Sequence, residues 1–191
     1  GGTHHLWSRG EDLMTDRFPE LAQLTDYLPD GTVIDGEVLA FSNEVPLSFN
    51  ALQKRIGRKT VPKKLLAEAP VILMAYDLLE HAGRDIRDTA LKDRRTALKT
   101  LIDSVPGTAP LRLSTSLSFA TWNDLVAARD QSRALNAEGL MLKRRDSPYL
   151  AGRKRGDWWK WKIDPLTIDA VMIYAQAGHG RRANLLTDYT F

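Results

Sequence analysis

The chain has 191 residues, 43% hydrophobic and 27% charged, with a formal net charge of +3 and no cysteine. That length suits one domain, or one domain and part of another, and the missing cysteines exclude disulfide frameworks and thiolate zinc sites. No apolar run reaches the length of a membrane span, and the opening "GGTHHLWSRG" lacks the charged and apolar regions of a secretory leader.

Leu6-Trp7 reads as a strand end and Ser8-Arg9-Gly10 as a turn. Pro19 in "FPEL" suits the first turn of a short helix. "PDG" at 29–31 signals a turn, and "TVIDGEVLAF" at 32–41 is rich in strand formers. Phe49, Leu52 and Ile56 recur at helical spacing, which predicts an amphipathic helix over 48–57. "VILMAYDLL" at 71–79 has the length and composition of a buried strand. Leu91, Leu98, Leu101 and Ile102 define one face of a helix, which Val105-Pro106-Gly107 ends in a loop. Thr121 and Asp124 in "TWND" form a capping box with Asp in place of Glu, starting a helix expected to run to about Leu135. Further strands are expected over 138–144, 158–163 and 168–175, followed by a flexible "QAGHGRR". No internal repeat is present. Hairpin-prone strands with separated helices predict an α+β fold with a largely antiparallel sheet.

The charge is concentrated. Residues 138–162, "EGLMLKRRDSPYLAGRKRGDWWKWK", hold eight basic residues against three acids, so the rest of the chain is net negative. A local positive field of this kind points to a polyanionic partner, or else to a solvated charged loop. Read as a strand, "DWWKWK" places Lys160 and Lys162 on one face and Trp159, Trp161 and Ile163 on the other. Two ammonium groups side by side suit a bridging phosphate; the plainer alternative is an edge strand with solvated lysines. In "EGLMLK", Glu138, Leu140 and Leu142 are expected on one face and Lys143 on the opposite one. Asp35 and Glu37 interrupt an apolar strand and share a face, with Gly36 between them permitting close backbone approach. Tyr76 is either a core residue or a ring for base stacking. His4, His5, His81 and His179 have no metal-ligand spacing.

In order, "SRGEDL", "IDGE", "MAYDLL", "EGLMLK" and "WWKWK" resemble the motif series of the covalent nucleotidyltransferases, specifically the ATP-dependent DNA ligases of bacterial type. The resemblance covers essentially the whole chain. It implies an adenylation domain over 1–164 and the first strands of an OB-fold domain over 165–191. It further implies Glu37 as the acid near ribose and metal, Tyr76 as the aromatic on adenine, and Glu138 as the metal-associated carboxylate. By the same resemblance Lys160 and Lys162 are expected to contact the ATP phosphates, and Arg9 a phosphate of the nick or adenylate. Arg144, Arg145, Arg153, Lys154 and Arg155 are expected to meet the DNA backbone. Lys160, Lys162 and Glu37 are thereby the catalytic candidates, while the parity of "EGLMLK" leaves the role of Lys143 undecided. ATP and Mg²⁺ (or Mn²⁺) are the implied cofactors, and nicked double-stranded DNA the implied partner of a monomer. Repair, recombination or replication in the bacterial cytoplasm, at the nucleoid, is the implied setting. An RNA ligase, an mRNA-capping guanylyltransferase, and a nucleic-acid-binding module without catalysis are the alternatives.

The sequence departs from the family at the nucleophile. No Lys-x-Asp-Gly occurs; "LPDG" and "VIDG" carry Leu28 and Val33 where the lysine belongs. In the family that motif lies shortly upstream of "SRGEDL", so the chain is expected to be an internal fragment, inactive alone, because lysyl adenylation requires the amine.

Overall fold

The computed structural model describes residues 2–58, 60–152 and 154–191. Its spine is an antiparallel pair, β1 (Val33–Ser42) and β3 (Val71–His81), in register from Val33 opposite Glu80 to Ala40 opposite Val71. Two short strands extend it: β2 (Val45–Pro46) beside β1, and β4 (Arg84–Asp85) beside β3. At one end the "PDG" turn packs on the β3–β4 turn. Gly31 has φ +70° and its carbonyl accepts the Gly83 N–H at 2.9 Å. A fifth strand, β5 (Leu111–Leu113), runs parallel to β3, the exception to the antiparallel expectation. Three residues are too few to announce a strand by alternation.

Helices α1 (Phe49–Ile56), α2 (Lys63–Glu68) and α3 (Leu91–Asp103), with a 3₁₀ segment at Pro19–Asp26, pack with this sheet around one core. Leu21, Leu24, Leu52, Ala75, Leu78, Leu98, Leu101 and Leu111 are buried in it. The spacing of Leu91, Leu98 and Leu101 marks the buried face of α3 as expected. In α1 the apolar stripe is less faithful: Leu52 is buried, but Phe49 faces solvent and Arg55 is fully buried. Arg55 is tolerated because both of its Nη groups are paired, although its buried Nε has no partner among the described residues. The guanidinium donates to both Glu20 oxygens at 2.5 and 2.8 Å and to the Arg17 and Ala69 carbonyls at 2.8 Å, and lies 5.2 Å above the Phe18 ring.

A second, two-stranded sheet pairs β6 (Gly139–Lys143) with β7 (Trp158–Lys162). Before it lies α4 (Trp122–Asp130), closed by the predicted capping box: Thr121 Oγ1 accepts the Asp124 N–H, and the Asp124 carboxylate accepts the Thr121 N–H. The helix does not continue to Leu135. It passes into a 3₁₀ turn at Gln131–Arg133, and Leu135 is exposed, with no apolar face to hold another turn.

The last hairpin joins β8 (Tyr174–Ala177) to β9 (Leu186–Thr190). The strand expected over 168–175 therefore begins only at Tyr174, because residues 168–173 have no ladder partner among the described residues apart from the Ile173 N–H, bonded to the Thr190 carbonyl. "QAGHGRR" is likewise ordered into the end of β8 and a 3₁₀ turn at Gly180–Arg182 that closes this hairpin. Among the described residues no helix is long and apolar enough to cross a membrane.

Candidate functional site

The β6–β7 hairpin aligns three lysines. Cross-strand partners share a face and alternate pairs repeat it, so Lys143–Trp158, Met141–Lys160 and Gly139–Lys162 lie on one side. Lys143, Lys160 and Lys162 are thus co-facial, and Leu140, Leu142, Trp159 and Trp161 fall on the other side. Glu138 does not follow the face expected for it. It lies just outside β6, and Gly139 at φ +138° breaks the alternation there. The Glu138 carboxylate accordingly meets the lysine face, 2.6 Å from Lys162 Nζ. That contact, with Lys160 nearby, holds the Glu138 carboxyl below the usual glutamate range.

Lys143, whose role the sequence leaves undecided, joins the hairpin to the main sheet. Its ammonium lies 4.0 Å from the Trp158 ring centroid and 4.7 Å from that of Tyr76 on β3. Desolvation lowers its pKa, with Asp77 and Asp35 opposing that shift. The ring faces also favour the charged form. Tyr76 is half-buried, and burial, then the Asp35 carboxylate, push its hydroxyl above the normal range, with a smaller contribution from Glu37. Asp35 also accepts the Tyr149 hydroxyl at 2.9 Å, and the Tyr149 and Trp158 rings meet edge to face at 5.3 Å. Tyr149 is raised for the same reasons, burial first.

The structure therefore forms two groups. Tyr76 stands with Asp35 and Glu37 on the sheet; Glu138, Lys160 and Lys162 stand together on the hairpin. Among the described residues no hydrogen bond or ion pair links the two groups; from the hairpin, Lys143 reaches the Tyr76 ring. Arg9 is exposed on the turn between the bridge partners Trp7 and Leu13. Of the basic loop residues, Arg144 pairs with Asp157 at 3.0 Å, while Arg145, Lys154 and Arg155 are exposed without ion pairs among the described residues. Arg153 lies outside the described residues. No group of three His, Cys, Asp or Glu among the described residues could cage a metal ion. Glu138 offers a single carboxylate, which fits only a cation completed by phosphate and water oxygens.

Tyr149, Trp158 and the Asp77–Arg94 pair escaped the sequence reading. Asp77 gave a signal: an aspartate inside an apolar strand needs a buried partner. Tyr149, in an irregular loop, gave none.

The fold recurs in solved structures. The chain is similar to mycobacterial DNA ligase D complexed with ATP and MES, with a TM-score of 0.63 and 31% identity over 83% of this chain and 47% of that one. The fold is that of a nucleotidyltransferase adenylation domain. The family model for the ATP dependent DNA ligase domain matches residues 1–162, and the chain belongs to that family. Among curated relatives it is 36% identical to a probable DNA ligase of Opitutus terrae, over 100% of this chain and 21% of the relative. It is 33% identical to a probable DNA ligase of Koribacter versatilis, over 97% of this chain and 36% of the relative. The chain thus spans between a fifth and about a third of the length of these relatives.

Proposed function

We propose that this chain is the nucleotide- and DNA-binding part of an ATP-dependent ligase that seals nicks in double-stranded DNA through a lysyl-AMP and an adenylated 5′-phosphate. The observation that carries this reading is the alignment of Lys143, Lys160 and Lys162 on one hairpin face that ends against the Tyr76 ring. A planar base on Tyr76 would direct its phosphates along that face, where fixed ammonium groups stabilise charge developing on the transferred phosphate. Glu37 serves the ribose side, and Glu138 would help hold a divalent cation, Mg²⁺ or Mn²⁺, which would supply charge neutralisation at the phosphates. Arg9 takes a substrate phosphate; Arg144, Arg145, Lys154 and Arg155 take the DNA backbone. Residues 1–164 form the adenylation domain and 165–191 the opening of an OB-fold domain, working as a monomer in the bacterial cytoplasm on DNA in repair, recombination or replication.

The test is equilibrium binding of ATP to the chain, with Tyr76→Ala and with Lys160→Ala plus Lys162→Ala. Each variant should weaken binding by about tenfold or more, since a stacked base or a charge-assisted phosphate contact is worth 1–3 kcal/mol. Unchanged ATP binding in both would sink the assignment. A binding module without catalysis is the second reading, favoured by the lack of a Lys-x-Asp-Gly in the sequence. Such a module would bind nicked duplex with no effect of ATP.

A further inference from the structure

Asp77 and Arg94 are both fully buried, and their guanidinium–carboxylate pairing is bidentate, Nε to Oδ1 at 2.8 Å and an Nη to Oδ2 at 2.9 Å. Pairing alone would leave Arg94 donors unused. The other Nη donates to the Thr89 carbonyl at 2.5 Å and the Ser147 carbonyl at 3.1 Å. Ser147 belongs to the segment that follows Lys143, and its hydroxyl accepts the Trp158 indole N–H at 3.2 Å. A continuous path thus runs from Asp77, the neighbour of Tyr76, through Arg94 and Ser147 to the ring on which Lys143 rests.

The N-terminus of α3 reinforces this path. Its N-cap, Ala90, has no capping side chain. The exposed helix N–H groups are satisfied by the same segment: Leu91 donates to the Ser147 carbonyl and Lys92 to the Arg145 carbonyl, each at 2.9 Å. Lys92 also pairs with Asp146 at 2.8 Å, and the Tyr149 N–H donates to the Arg87 carbonyl at 2.8 Å. The next residue, Arg95, holds the Tyr76 and Ser114 carbonyls at 3.1 and 2.6 Å. One turn of α3 therefore grips both the strand that carries Tyr76 and the segment that leads from Lys143.

We propose that Arg94 is a positioning residue that sets the separation of the two halves of the nucleotide site, by locking residues 144–149 to Asp77 and so holding Lys143 against Tyr76. This rests on the ligand reading given above. A buried ion pair is a poor source of stability, and apolar groups of similar volume often replace one at no loss. What such groups cannot reproduce is the reach to the Ser147 carbonyl. Asp77→Leu combined with Arg94→Met is thus expected to fold yet to release the segment.

Two readouts test this. Reductive methylation with formaldehyde, followed by peptide mass spectrometry, reports the accessibility of Lys143 without any nucleotide; ATP binding reports the assembled site. In the double variant Lys143 should label at least about fivefold faster than in the parent chain, as local opening becomes less costly. ATP binding should fall by about tenfold, because the phosphate and base subsites lose their spacing. Arg94→Lys keeps the charge against Asp77 but cannot span the Ser147 and Thr89 carbonyls together, and should move both readouts the same way. That variant decides the matter if the double variant fails to fold. Leu98→Ala, a cavity on the same helix, is the comparison and should leave Lys143 protected. Unchanged Lys143 labelling in the Arg94 variants, or equal exposure in Leu98→Ala, overturns the proposal. A parent chain that does not bind ATP overturns the ligand reading instead, while the labelling still decides whether Arg94 positions Lys143.

Discussion

The Tyr149 hydroxyl donates a 2.9 Å hydrogen bond to the Asp35 carboxylate across 114 residues of sequence. It ties the basic loop to β1 at the place where Tyr76 also approaches Asp35. One carboxylate thereby raises two phenols, with burial as the larger cause for both.

A direct consequence is a late ionisation. The folded-state pKa of each hydroxyl lies above its unfolded value. Its stabilising contribution is therefore complete below about pH 10 and is lost as the pH rises through the folded value. Absorbance titration at 295 nm should show two of the five tyrosines ionising late in the native chain. In denaturant all should ionise together, and Tyr149→Phe should leave one late phenol. A single native transition for all of them would contradict the burial and the shared carboxylate.

Gly36 should resist substitution. A Cβ there would stand 2.8 Å from Leu73 Cδ1 and 2.9 Å from the Met74 carbonyl oxygen. The side chain can yield but the carbonyl belongs to the β1–β3 ladder. Gly36→Ala is expected to destabilise the chain by about 1–3 kcal/mol, the usual range for overpacking. Urea denaturation measures it, and a neutral result would mean that the bulge beside Asp35 opens at little cost.

The sequence made the main sheet, the capping box and the lysine face legible because each has a short-range signature. Strand-forming composition marked β1, an apolar run of strand length marked β3, alternation marked the face of β7, and Thr121 with Asp124 marked the start of α4. Lys143 was illegible for a different reason. Its parity was right, but its meaning depended on Gly139, whose positive φ swings Glu138 onto the lysine side. Tyr149 was hidden because its partner Asp35 is remote in sequence and its own segment has no regular pattern. The strand expected over 168–175 failed because apolar β-formers need a paired neighbour, and those residues largely lack one in the structure described.

Duplex DNA binding should be electrostatic. Arg145, Lys154, Arg155 and Lys160 are exposed and without ion pairs among the described residues, whereas Arg144 and Lys162 are engaged by Asp157 and Glu138. If the loop cations Arg145, Lys154 and Arg155 meet phosphates, the plot of log affinity against log salt should have a slope of about −3. Exchanging the duplex sequence should change affinity little, because phosphate contacts carry no base information. Arg145→Ala should reduce the slope by roughly one. A slope near zero would remove this surface from the DNA reading.

The chain itself is expected not to form a covalent adenylate. A phosphoramidate requires an uncharged amine in line behind the α-phosphate, opposite the departing pyrophosphate. Lys160 and Lys162 share the hairpin face with Lys143, and Lys162 is committed to Glu138. Lys143 is the nearest rival, since burial lowers its pKa. It nevertheless rests against two ring faces that stabilise the ammonium. Incubation with α-labelled ATP and Mg²⁺, then denaturing electrophoresis, should leave the chain unlabelled. Supplying an upstream Lys-x-Asp-Gly segment in the same polypeptide should produce a labelled band that changing that lysine to alanine removes. A band from the chain alone would show that an amine already present can act as nucleophile. Its disappearance in Lys143→Met would identify that amine and would require the Tyr76–Lys143 contact to open when ATP binds.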